Sequence, residues 1–233
     1  MALTPERGDL FLQEVEENYR RDQLRDIAKN YGKWIVLAVI LFLAGVGGWL
    51  YWQDRQRAEA ARQSEELMAI YNDIGAGKLA NVPQRLDALV DARSDAVRAS
   101  ALFTRAAVAI EQGDRKLATA KYQEAAADGG LPKPYRDLAL IRQTALEFDG
   151  MKPEDVIARL KPLAEPGNPW FGSAGELTAM AYLKQGRKAE AGRLFAAIAA
   201  DAQVPESMRS RAVQIAGTLG VDASASLPMQ PAQ

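Results

Sequence analysis

The chain has 233 residues, 48% of them hydrophobic, and its charges nearly cancel, to a net −1. A near-neutral balance argues against nucleic acid, which needs a basic face. With no cysteine and no histidine, disulfides, thiolate chemistry, the commonest zinc ligands and the usual general base are excluded together.

Residues 1–33 are charged and contain Phe11, Val15 and Tyr19 at fourfold spacing, one face of a helix. From Trp34 to Gln53 no residue is charged, and the run WIVLAVILFLAGVGGWLYW ends at Trp52. Nineteen residues at helical rise cover about 28 Å, close to the hydrocarbon thickness of a bilayer. Trp34 marks one end, and Trp49, Tyr51 and Trp52 mark the other, as in the aromatic belts of membrane helices. A cleaved signal is disfavoured by the long leader and by Asp54, Arg55 and Arg57 directly after the apolar run. The expectation is an uncleaved signal anchor. Arg20, Arg21, Arg25, Lys29 and Lys33 precede the span, whereas Arg55, Arg57 and Arg62 follow it. That bias predicts a cytoplasmic N-terminus, with the larger part of the chain in a bacterial periplasm. Within the span, Ala44 and Gly48 form a small-xxx-small pair suited to contact with another membrane helix.

After the span, Gln53 to Glu66 is polar and free of proline, and Leu67, Ile70, Tyr71 and Ile74 open an apolar stripe at helical spacing. The membrane helix is therefore expected to continue as a stalk, ended by Gly75 and Gly77. Beyond Pro83 the chain reads as helix with short breaks near Gly77, Gly113, Gly150 and Gly186. Their near-regular spacing predicts stacked helix pairs. The clearest unit, residues 99–132, has Leu102, Ala106 and Ala109 in its first helix and Ala118, Tyr122 and Ala125 in its second, around a Gly113-Asp114 turn. This pattern resembles a tetratricopeptide repeat. Residues 172–205 repeat it with Ala179, Tyr182, Gly186, Ala191 and Phe195, while Ile198 replaces the last alanine. Arg105 and Thr178 stand where a leucine is expected. A middle unit, near Arg136 to Lys161, departs further and its register stays open. The predicted class is all-α: one N-terminal transmembrane helix followed by a tetratricopeptide-like α-solenoid. The segments are a cytoplasmic piece (1–33), the span (34–53), a stalk with periplasmic repeats (54–220) and a disordered tail (221–233), rich in Ala, Ser, Pro and Gln.

No motif that carries chemistry is complete in this sequence. Gly75-Ala76-Gly77-Lys78 lacks the glycine and the hydroxyl of a phosphate-binding loop, having Asn72 and Leu79 at those places. Glu154-Asp155 after Pro153 suits a helix start, where acids complement the dipole. No catalytic residue, cofactor or metal is expected. Trp170 and Phe171 read as a core plug at a helix start, the alternative being an exposed aromatic that grips a peptide. Helix-pair arrays bind partners on the concave face lined by first helices, and the register puts Phe103, Ile110, Leu140, Met180 and Lys184 there.

With span and repeats in view, the chain resembles the ancillary SecYEG translocon subunit family of proteobacterial inner-membrane proteins. The likeness is carried by Asn30-Tyr31-Gly32-Lys33 before the span, Gly48-Trp49-Leu50-Tyr51-Trp52 at its end and Ala60-Ala61-Arg62-Gln63-Ser64 in the stalk. Trp170 and the segment from Gly186 to Phe195 add to it. Glu14-Val15-Glu16-Glu17, with Arg20-Arg21 and Leu24, is similar to the alphaproteobacterial branch. The resemblance implies one span, a periplasmic repeat domain, and association with Sec channel subunits, periplasmic chaperones or exported polypeptides. The expected function is a non-catalytic scaffold or chaperone at the translocon. Alternatives are an envelope scaffold for outer-membrane assembly or cell division, and a regulator acting through residues 1–33.

Overall fold

The computed structural model describes the backbone of residues 5–226, and side chains from Lys29 onward other than those of Asn30, Tyr31 and Ile35. The face carrying Phe11, Val15 and Tyr19 and the last residues, 227–233, lie outside what is described. Two compact units divide the chain, residues 1–61 and residues 62–233. No strand occurs among the described residues.

The described residues of the first unit form a single helix. It belongs to α1, which spans Pro5–Gly75 without interruption; proline at its first position is tolerated because that N–H has no intrahelical partner, and the next proline is Pro83. From Gly32 the helix is long and apolar enough to cross a membrane, with a mean hydropathy of 2.2 over its best window. None of that window is buried inside the protein; Phe42, for instance, is 70% exposed. A continuous apolar surface with no protein partner is unfavourable in water and favourable against lipid tails. At the far end the Arg55 guanidinium sits 5.1 Å from the centre of the Tyr51 ring.

The second unit is a chain of short helices. It takes the last turns of α1, then α2 (Val82–Asp87), α3 (Asp95–Glu111), α4 (Arg115–Ala127), α5 (Lys133–Glu147), α6 (Pro153–Leu160), α7 (Phe171–Lys184), α8 (Lys188–Ala200) and α9 (Glu206–Thr218). Each packs chiefly on its sequence neighbours, which is the organisation of a solenoid. The core is accordingly a series of layers. Leu67 and Ile70 of α1 share one with Val82, Leu86, Val97 and Val108. Ala106, Ala109, Ala118 and Tyr122 form the contact within the α3–α4 pair. Ala179, Ala191, Phe195 and Ile198 do the same for α7–α8, joined by Phe171 and by Ala212, Val213 and Ala216 of α9.

Small residues allow this close approach. A Cβ added at Gly175 would stand 3.1 Å from Ile198 Cδ1, and one at Gly192 would stand 2.7 Å from Val221 Cγ2. The helix ends are closed by a recurring device. At Gly113 (φ 77°), Gly186 (φ 75°), Gly77 (φ 73°) and Gly220 (φ 80°) the backbone turns left-handed. The N–H of the following residue then reaches back to the helix: Asp114 N to Ala109 O and Arg187 N to Tyr182 O, at 2.8 and 2.9 Å. Lys78 N to Asp73 O and Val221 N to Ala216 O complete the same pattern. This is the Schellman closure, which satisfies carbonyls left free at a helix end.

Two sequence expectations need revision, those for Gly150 and for the tail. Gly150, read as equivalent to the other breaks, has no left-handed φ, and Gly150 N and Met151 N both donate to Glu147 O instead. The middle unit, whose register the sequence left open, holds α5 and an α6 of only 8 residues, and these pack chiefly on α4 and on α7 and not on each other. The tail assigned as disordered from residue 221 is ordered to Ser226: Val221 packs on the last core layer, Ala223 is buried and Arg209 donates to Ser226 O at 3.2 Å. Gly192 is what makes room for it. Within the apolar stripe, Tyr71 lies at the exposed edge, because Leu67 and Ile70 already occupy the face toward α2 and α3.

Candidate protein-binding surfaces

Two faces of the repeat unit can present chemistry: one built from the first helix of each pair, the other from the second helices. On the first face the structure places the five sequence-derived residues differently. Ile110 and Met180 are open to solvent, 40% and 41% exposed. Phe103 is half-buried against Tyr122, ring centres 5.9 Å apart. Leu140 packs on the layer of Ile141, Phe148 and Val156. Lys184 has its ammonium 4.4 Å above the Phe148 ring, donates to Phe148 O at 3.1 Å and sits 3.4 Å from Asp149. Its charge therefore links α7 to the end of α5.

Sequence reading missed two contributors at the end of α1. Tyr71 is 38% exposed and Met68 59%, and the Tyr71 hydroxyl accepts from Thr104 Oγ1 at 3.4 Å. Both are one helical turn apart. The signal that would have found them is the repeat itself: counting back from Gly77 as from Gly113 puts Tyr71 in the place of Ala107, which is also exposed. Met side chains suit a surface that must adapt to several partners.

The second face holds a cleft of about 590 Å³ between α6 and α8, floored by α7. Ile157, Ala164, Phe171, Tyr182, Leu194 and Ala197 give it apolar walls, while Lys161, Glu165, Glu190 and Arg193 stand at its rim. Glu190 accepts from Arg187 at 2.9 Å, and this bond, with the field of Arg193, holds its carboxyl below the ordinary range. Arg187 also covers the Tyr182 ring at 4.4 Å. Burial of Trp170 and Phe171 differs: Phe171 is fully enclosed, and Trp170 is half-buried against the α5–α6 layer.

On α1, Trp34, Trp49, Tyr51 and Trp52 are exposed. Ala44 is exposed too, and a Cβ added at Gly45, Gly47 or Gly48 would meet nothing within 4 Å. The small residues there answer no need within this chain.

A family model described as a tetratricopeptide repeat-like domain matches residues 25–216. The chain belongs to that family. The tetratricopeptide repeat-like match begins ahead of the apolar stretch, so the apolar helix and the repeats are parts of one family pattern. Among curated proteins the chain is similar to the "Ancillary SecYEG translocon subunit" of Haemophilus influenzae, at 34% identity over 115 residues. That alignment covers 48% of this chain and 54% of the relative, so it spans about half the relative's length. No solved structure matches.

Proposed function

We propose that this chain is a membrane-anchored, non-catalytic scaffold that binds proteins at the Sec translocon. The observation that carries the reading is an unburied apolar helix, of bilayer length, running without a break into tetratricopeptide-like repeats. The printed name of the Haemophilus relative supports the translocon as the place of action. In this reading Trp34 to Gln53 crosses the inner membrane, the basic flank keeps residues 1–33 in the cytoplasm and the repeats face the periplasm. Ala44 and Gly48 offer a contact for a channel helix. Met68, Tyr71, Ile110 and Met180 offer apolar purchase to periplasmic chaperones or emerging polypeptides. Tethering raises their effective concentration, so weak contacts suffice.

The test is site-specific photocrosslinking in intact cells from positions 44, 110 and 180, with protease accessibility of the repeats in spheroplasts. Crosslinks to channel subunits from position 44, and digestion only after the outer membrane is opened, are expected. Absence of every channel subunit from the crosslinked products rejects the reading.

A further inference from the structure

At the far end of the apolar run, one cation is held by a ring and its donors are left free. Arg55 lies three residues beyond Trp52, about 4.5 Å at helical rise. Each headgroup layer of a bilayer is about 5–8 Å deep, so Arg55 falls within that layer when Trp34 to Trp52 fills the hydrocarbon. The direction of its side chain follows from the helix. Every Cα–Cβ bond tilts toward the helix N-terminus, which after the span means back toward the bilayer. For a cation ahead of the span, such as Lys33, the same tilt leads away from it. Accordingly the Arg55 guanidinium reaches back one turn, to 5.1 Å from the centre of the Tyr51 ring. A guanidinium has five N–H donors, and among the described residues no carbonyl or carboxylate accepts from those of Arg55. Tyr51 is 63% exposed and Arg55 is exposed as well, so the pair opens outward from the helix.

We propose that Tyr51 and Arg55 form a binding site for the phosphate of a phospholipid headgroup, with anionic lipids preferred. The site requires that Trp34 to Gln53 cross a membrane, as proposed above, but not that the chain act at the translocon. A guanidinium matches phosphate oxygens through paired N–H bonds, and at this depth headgroup phosphate is the abundant anion. The tyrosine ring steadies the cation, so less side-chain freedom is lost when the phosphate is bound. Local charge sets the preference. Asp54, Arg55 and Arg57 are the charged residues within the layer, a net +1, which favours a negative headgroup over a zwitterionic one. Glu59, about 10 Å beyond Trp52 by the same count, lies outside the layer and has a partner of its own. One such charge near a lipid surface is worth about fivefold in affinity.

The experiment uses the full chain carrying Trp34→Phe and Trp170→Phe, so that only Trp49 and Trp52 fluoresce. This parent is placed in vesicles of phosphatidylcholine and phosphatidylglycerol, with one lipid or the other brominated. Bromine quenches tryptophan on contact, so quenching against mole fraction gives the lipid preference at this end of the helix. The parent is expected to prefer phosphatidylglycerol by about fivefold. Arg55→Gln, a helix-compatible change at an exposed position, is expected to bring the ratio to about one. Tyr51→Leu keeps every charge and is expected to lower the ratio part of the way. Lys33→Gln, at the opposite end of the run, is expected to leave it unchanged. An unaltered ratio in Arg55→Gln overturns the proposal, as does equal quenching of the parent by both lipids, and either result leaves the span standing. An unaltered ratio in Tyr51→Leu overturns the ring's part in the site. No quenching by either lipid rejects the span and the site together. Loss of the preference in sodium phosphate, but not in sodium chloride of equal ionic strength, makes free phosphate the ligand and overturns the lipid as occupant.

Discussion

Individual residues carry more of this fold than their exposure suggests. Gly113 and Gly186 adopt left-handed conformations, where a Cβ meets the neighbouring carbonyl. Replacing either with alanine is expected to cost about 1 kcal/mol or somewhat more. Gly150 serves as an internal control, since its φ is ordinary and an added Cβ would find only Glu147 O, at 3.7 Å. Gly150→Ala is expected to stay within about 0.5 kcal/mol of wild type in urea unfolding. A second residue-scale expectation concerns acid. Asp201 accepts from Gly167 N at 3.0 Å and Gln203 N at 2.8 Å, and these N–H groups hold its carboxyl below the ordinary value. A depressed folded pKa contributes stability above the unfolded value, about 3.9, and that contribution is lost as pH falls through the folded one. Urea midpoints measured from pH 6 down to 2 are expected to fall less steeply for Asp201→Asn than for wild type.

Among the elements, those with strong local signals were legible in advance. The unit at residues 99–132 appears as expected, because Ala106, Ala109 and Ala118 are small wherever the pair must touch and Gly113 ends its helix. The pair α7–α8 follows for the same reason. The middle pair was not legible: α6 is short, Pro153 starts it, and no left-handed glycine separates it from α5. Order in residues 221–226 was hidden too, since a segment of small and polar residues gives no periodicity. What fixes it is a distant glycine, Gly192, whose missing side chain receives Val221. Gly192→Ala is therefore expected to destabilise the domain by about 1–3 kcal/mol through overpacking. Combining it with Val221→Ala is expected to recover part of that loss, a coupling read by a double-mutant cycle. The cleft above α7 was out of reach for a related reason. Its walls come from α6, from the turns at residues 161–166 and from α8, segments that meet only once the chain is folded. Similarly, Lys184 looked available on the first-helix face, and its position over Phe148 depends on where α5 ends.

At the scale of the whole molecule, the chain joins a helix that solvates its own backbone hydrogen bonds to a domain that buries its apolar side chains. The first part presents its apolar side chains outward, and the second turns them inward. Phe42→Arg, near the middle of the apolar run, is expected to oppose insertion by about 2.5–3.5 kcal/mol. Carbonate extraction of cells measures this directly: wild type is expected in the membrane pellet, and the variant is expected in part in the supernatant. The repeat unit should be unaffected, because among the described residues its layers involve none before Leu67. Melting curves of wild type and Phe42→Arg, both in detergent, are expected to coincide.

The left-handed closures have a bearing on how such a sequence tolerates drift. Gly77, Gly113, Gly186 and Gly220 are all exposed, and surface positions ordinarily accept most replacements. Here the chain's outer turns are sensitive as its interior is, because any Cβ strains the left-handed backbone they adopt. A saturation library of this protein would therefore show its depleted sites in two places: in the buried alanine rows, where size is limiting, and at isolated points in full contact with solvent. A ranking of mutational tolerance by burial alone would miss the second group.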